Sequence, residues 1–77
     1  MISYMPVRYE VVEENLYSSE LSDYVSYGII GRDPSGKAVV TCSDISSDRR
    51  FVADLCEKCN ALGLSPLHLA DVVYDAM

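Results

Sequence analysis

Nowhere in its 77 residues does the chain carry a run of 18 apolar residues. A helix needs roughly 20 to cross a bilayer core, so no segment is expected to span a membrane. The opening MISYMPVRYE lacks a basic stretch followed by an apolar one, and no signal peptide is expected there. Basic residues are scarce, with 6 Lys and Arg against 12 Asp and Glu and a formal net charge of -6. Binding to nucleic acid or to an anionic membrane needs cations that displace counterions, so both partners are excluded as expectations. The acidity reads instead as a device for solubility. Cysteines number only three, an odd count that would leave one over from any intramolecular pairing. Together with the missing leader, this points to free thiols in a reducing cytoplasm.

What is present is the makeup of one small globular domain. The apolar fraction is 49 %, with no internal repeat and no low-complexity tract. A chain of this length buries only about 60 % of its unfolded surface. It is too short for a cleft walled by two domains, while small pockets and flat binding faces remain open to it.

The hydrophobic period changes once, near Ser43. Before it, apolar residues alternate. Val7, Tyr9 and Val11 share one face, as do Val25, Tyr27 and Ile29, while Ala38, Val40 and Cys42 alternate with Val39 and Thr41. Period two predicts strands over about residues 7–13, 24–32 and 37–43. Between the last two, DPSG reads as a hairpin turn, with Pro34 presetting φ and Gly36 accepting a positive φ. The first link, around SSELSD, is polar and reads as longer, although EENLY extends the first strand in an alternative reading.

After Ser43 the spacing turns helical. Val52, Leu55, Cys59 and Leu62 make a stripe over residues 47–62, capped by Ser46 or Ser47 with Asp48 in the first turn. Gly63 follows, where a left-handed cap belongs. A second helix is expected over 66–76, with Ser65 as cap and Pro66 as its first residue. Its stripe is Leu69, Ala70, Val73 and Met77, widened by Leu67, and His68, Asp71 and Asp75 lie opposite. The fold expected is α+β, a three-stranded antiparallel meander followed by two helices on one sheet face.

CEKC is the segment that most resembles a reactive site. Redox thiols sit at helix N-termini, where the dipole favours thiolate. Cys56 and Cys59 fall about two turns into the first helix, on or beside its apolar stripe, and read as small core side chains. Cys42, Cys56, Cys59 and His68 would make a Cys₃His zinc set by residue type. Structural zinc usually draws on two short-spaced pairs, and only one pair is present, so no metal or cofactor is expected. His68, the only histidine, lies on a polar helix side and reads as a surface residue. Asp71 beside it is at ordinary helical pairing distance. The helix pair resembles a helix-turn-helix, but the second helix carries Asp71 and Asp75 and no Lys or Arg. No catalytic set is recognised.

Six tyrosines and no tryptophan are unusual, and five of the six precede the helices. If Val25, Tyr27 and Ile29 face the helices, then Tyr24, Ile30, Val39 and Thr41 face outward. A half-apolar outer sheet face on a small domain is a candidate interaction surface.

At SYGIIGRD, SDISSDRRFV and GLSPLHLADVV the chain resembles a small uncharacterised family of short proteins from clostridia and related Firmicutes. The matching positions are Ser26 to Ile29, Asp44 to Ser46, Phe51, Val52, and Leu64 to Val73, and LSPLHLADVV is the most specific. The resemblance implies a bacterial cytoplasmic protein and transfers no catalytic residue. The function expected is a non-enzymatic protein-interaction or self-associating module. The alternatives are a small regulatory or ligand-sensing domain with a pocket between sheet and helices, and a zinc-stabilised module.

Overall fold

A computed structural model describes residues 6–20 and 22–77. The leader reading at Met1–Met5, and Leu21 in the first link, lie outside the described residues. The architecture is α+β, an open three-stranded antiparallel sheet in the order β1-β2-β3 followed by helices. The strands are β1 (Arg8–Ser18), β2 (Ser22–Arg32) and β3 (Ala38–Ser46). The helices are α1 (Arg49–Leu62), a 3₁₀ turn (Pro66–His68) and α2 (Leu69–Ala76).

β1 is longer than its apolar alternation indicates. It continues past Glu13 through EENLYS and pairs with β2 in unbroken register from Arg8↔Arg32 to Ser18↔Ser22. The first link is thus a tight hairpin, not a long loop, with Ser22 at φ 59°. The alternative in which EENLY extends the first strand is the one observed, and Glu13, Glu14 and Asn15 break the apolar alternation where, among the described residues, no helix covers the sheet.

The second hairpin follows its turn chemistry. Asp33 Oδ1 accepts from the Ser35 amide (2.9 Å), the Ser35 hydroxyl (2.6 Å) and the Lys37 amide (3.0 Å). Gly36 sits at φ 89°. A Cβ there would touch nothing, so the glycine answers to backbone conformation and not to space.

Asp48, not Ser46 or Ser47, is the cap of α1. Its carboxylate accepts from the Arg50 and Phe51 amides, and Ser46 Oγ accepts in turn from the Asp48 amide. The helix closes at Gly63, φ 59°, with the Leu64 amide reaching back to the Cys59 carbonyl. Val52, Leu55, Cys56 and Cys59 are its buried face, at i, i+3, i+4 and i+7. Ser65 caps the 3₁₀ turn, accepting from the Leu67 amide at 3.4 Å. In α2 only Leu69 and Val73 are fully buried. Ala70, Leu67, Met77 and Leu62 of α1 are exposed, so the stripes are narrower than the sequence pattern.

The core gathers on one sheet face. Tyr9, Ile29 and Ile45 meet Val52, Leu55, Cys56, Cys59, Leu69 and Val73, with Val11, Tyr27, Val40 and Cys42 at its border. Each large apolar side chain fully buried there contributes about 1.5–3 kcal/mol. α1 crosses the strands and α2 lies against β3. Val25, which alternation assigns to this face, is 41 % exposed because it lies beyond the helices.

Candidate interaction surface on the open sheet face

The helices occupy one face, and among the described residues no element covers the other. Register fixes what that face carries. Glu10, Ile30 and Thr41 lie side by side, then Val12 beside Gly28, Glu14 beside Ser26, and Leu16 beside Tyr24. Glu10 forms an ion pair with Arg32 at 2.7 Å, and both side chains remain substantially exposed.

The centre of the face is shaped by a bulge. Ile29 pairs with Cys42 and Tyr27 with Ser46, so Ser43, Asp44 and Ile45 stand opposite Gly28 alone. Asp44 takes φ 53°, a conformation that a short polar side chain tolerates. The extra residues let Ile45 enter the core while the Asp44 carboxylate reaches the open face.

Glu14 then bridges β1 to the bulge. Its Oε2 accepts from the Ser43 hydroxyl (2.5 Å) and its Oε1 from the Asp44 amide (2.9 Å). Asp44 accepts from the Ser26 hydroxyl (2.6 Å) and the Tyr24 phenol (3.1 Å). Ser26 is 1 % exposed, and its hydroxyl also lies 3.2 Å from the Ser46 carbonyl. Gly28 is the floor of this arrangement. A Cβ there would come within 2.5 Å of the Cys42 carbonyl and 2.8 Å of Glu14 Oε1. Burial first, then the hydrogen bond to Asp44, raise the Tyr24 pKa above its usual value.

Tyr24, Ile30, Val39 and Thr41 therefore all lie on the sheet away from the core, but not as one apolar patch. Ile30 and Thr41 are paired neighbours, with Val39 close by on β3. Tyr24 is six residues from Ile30 along β2, about 20 Å away. The Glu14–Asp44 polar cluster and Gly28 lie between them. Val12 and Leu16 extend the apolar surface on β1. The sequence pattern alone did not single out these two, nor Glu14, Ser26, Gly28, Ser43 and Asp44. The parity that turns Tyr9 and Val11 toward the core already puts Val12, Glu14 and Leu16 on the opposite face; the bulge has no comparable signal.

The cysteines lie on the other side. Cys56 and Cys59 are buried and Cys42 is half-buried, all with free thiols. Burial is the first cause pushing each thiol pKa up, with the Glu14 charge adding to it at Cys42. That is the reverse of a reactive thiol. His68 is exposed, its Nδ1 3.8 Å from the still more exposed Asp71 carboxylate. Among the described residues no three His, Cys, Asp or Glu side chains gather closely enough to hold a metal ion. The four candidate zinc ligands are not assembled into a site.

Two hollows lie where a ligand-sensing pocket would be expected. One, of 190 Å³, sits between the bulge and α2, lined by Ile45, Val73 and Tyr74 among others. The other, of 380 Å³, is bounded by Ile45, Ser46, Asp48, Phe51, Ala76 and Met77. Asp48 is its one charged residue, and that carboxylate is already engaged in capping α1.

Comparison with known families takes in nearly the whole molecule. A family model matches residues 3–77, spanning both the open face and the helices. The chain belongs to DUF6514, a family of unknown function. No curated protein and no solved structure matches it. Membership in DUF6514 thus assigns no substrate or partner, and the reading of this surface stands on its physical chemistry. No helix among the described residues is long and apolar enough to cross a membrane.

Proposed function

We propose that this DUF6514 protein is a non-enzymatic protein-interaction module whose docking surface is the open face of its sheet. The observation that carries the reading is the asymmetry of the sheet. Among the described residues one face is sealed by α1 and α2, while the other carries half-buried Val12, Leu16, Tyr24 and Ile30 and exposed Val39 around a fixed polar centre. Apolar area removed from water is worth about 25 cal/mol per Å², so a few of these side chains would anchor a modest contact. Tyr24 suits such a contact, with a large ring and a phenol already oriented by Asp44. The Glu14–Asp44 cluster fixes the bulge and keeps the surface between the two apolar ends in one shape, which lowers the ordering cost of binding.

The free, burial-suppressed thiols support a reducing cytoplasm as the setting. The resemblance to short clostridial proteins supports a bacterial one. Self-association through this face is the simplest form of the proposal, and a separate protein partner is the other. Sedimentation velocity over a wide concentration range separates the two. A wild-type chain that associates, with Tyr24→Lys and Ile30→Lys together restoring the monomer, supports self-association. A wild-type monomer throughout leaves a heterologous partner as the form to test.

A further inference from the structure

A second surface adjoins the open face, and it is made of backbone. Asn60 binds both the amide and the carbonyl of Tyr9 from outside the sheet, at 2.8 Å each. The polar groups of Tyr9 therefore point away from β2. In an antiparallel ladder these directions alternate residue by residue. β1 keeps one register from Arg8 to Ser18, so Val11, Glu13, Asn15 and Tyr17 aim their amides and carbonyls at the same outer edge. Among the described residues, Asn60 covers this edge at Tyr9 and no other side-chain hydrogen bond reaches it.

The far edge of the sheet is built differently. The pairing of β3 with β2 shifts register twice, with extra β3 residues between Cys42 and Ser46 and between Ala38 and Val40, which breaks the straight ladder an incoming strand requires. β1 has no such break. Past Glu13, moreover, the β1–β2 hairpin extends as a two-stranded arm, because β3 pairs no further than Tyr27. Tyr17 there is 75 % exposed. A two-stranded ribbon is marginal in water and gains from a third strand. Charge selects the occupant. Residues 9–31 contain Glu10, Glu13, Glu14, Glu20 and Asp23 and no Lys or Arg. A second copy would set β1 carboxylates against one another, whereas a basic segment would complement them.

We propose that the β1 edge from Val11 to Tyr17 receives an extended, lysine- or arginine-bearing segment of a partner protein as an added strand. Backbone hydrogen bonds would supply the pairing and the acidic arm the preference for basic sequence. This contact lies at the sheet's edge, distinct from its open face.

The probe is a synthetic eight-residue peptide of alternating lysine and valine, compared with a glutamate-for-lysine counterpart. Binding is followed by fluorescence anisotropy and by amide hydrogen exchange on the full chain. The lysine peptide is expected to bind, to weaken as salt rises, and to slow exchange at Val11, Glu13, Asn15 and Tyr17. Asn15→Pro, which removes an outward amide without touching the β1–β2 ladder, is expected to weaken binding about fivefold to tenfold. Exchange on the wild-type chain decides between the outcomes even where the proline variant folds poorly. Equal binding of both peptides, or edge amides that stay unprotected, would overturn the proposal. Loss of lysine-peptide binding in Tyr24→Lys/Ile30→Lys with the edge unprotected would place the contact on the open face instead, overturning the edge proposal alone.

Discussion

The side-chain amide of Asn60 closes a two-bond ring with the backbone of Tyr9, 51 residues away in sequence. The Tyr9 ring is itself buried, and its phenol donates to the Leu64 carbonyl at 2.6 Å. One tyrosine thus ties the edge strand to the end of α1 at three points. Replacing Asn60 by Ala should cost about 1–3 kcal/mol, the range for leaving part-buried polar groups unpaired. Asn60→Asp should also destabilise, because its carboxylate cannot donate to the Tyr9 carbonyl at neutral pH. Urea unfolding checks both; an unchanged midpoint in Asn60→Ala would show that the ring contributes nothing.

Gly28→Ala should be destabilising by about 1–3 kcal/mol, the cost of overpacking a site whose nearest atoms are backbone. The Cys42 carbonyl cannot step aside as a side-chain tip can, and Glu14 would have to leave Ser43 and Asp44. Thermal denaturation measures the loss. Ser43→Ala, which removes one of the bonds to Glu14 without adding bulk, should cost less.

Cys56→Ala and Cys59→Ala should each destabilise by roughly 1–3 kcal/mol as modest core truncations, and neither should release metal. In the native protein both thiols should react slowly with a thiol reagent and Cys42 faster, with all three equalising in denaturant. Elemental analysis giving one zinc per chain, lost in either variant, would contradict this.

The Asp33 carboxyl is held below the usual carboxylate range, first by the Ser35 hydroxyl and then by the Lys37 amide. A depressed folded pKa means that its contribution is complete above the ordinary aspartate value. That contribution is lost as pH falls through the lower, folded one. Asp33→Asn should therefore flatten the acid limb of the stability curve and matter little to its slope near neutrality. Urea midpoints at several pH values for both chains provide the check, and parallel acid limbs would refute it.

The sequence shows its layers more clearly than its edges. Alternation at Tyr9, Val11, Ile29 and Val40 finds the core face of the sheet, and the Val52–Cys59 spacing finds that of α1. Alternation cannot say how far the opposite layer reaches, which is why Val25, Leu62 and Met77 are exposed. The Asp44 bulge escapes notice because no glycine marks its positive φ. The bonds from Glu14 to the bulge and from Asn60 to Tyr9 depend on chain segments brought together only by the fold. Serines at 46 and 47 have the chemistry of caps for α1, but Asp48 is where the backbone turns from extended to helical.

The open sheet face is tested most directly by comparing what three forms of the chain retain. Wild type, Tyr24→Lys/Ile30→Lys and Tyr74→Lys would be immobilised at equal density and exposed to lysate of the source cell. Retained proteins would then be quantified by mass spectrometry. Tyr74 is 76 % exposed on α2, away from the open face, and serves as the control. The expected result is a protein held by wild type and by Tyr74→Lys and lost from the double variant. Retention of the same protein by a folded double variant, with loss from Tyr74→Lys, would contradict the account and move the docking surface to the helices.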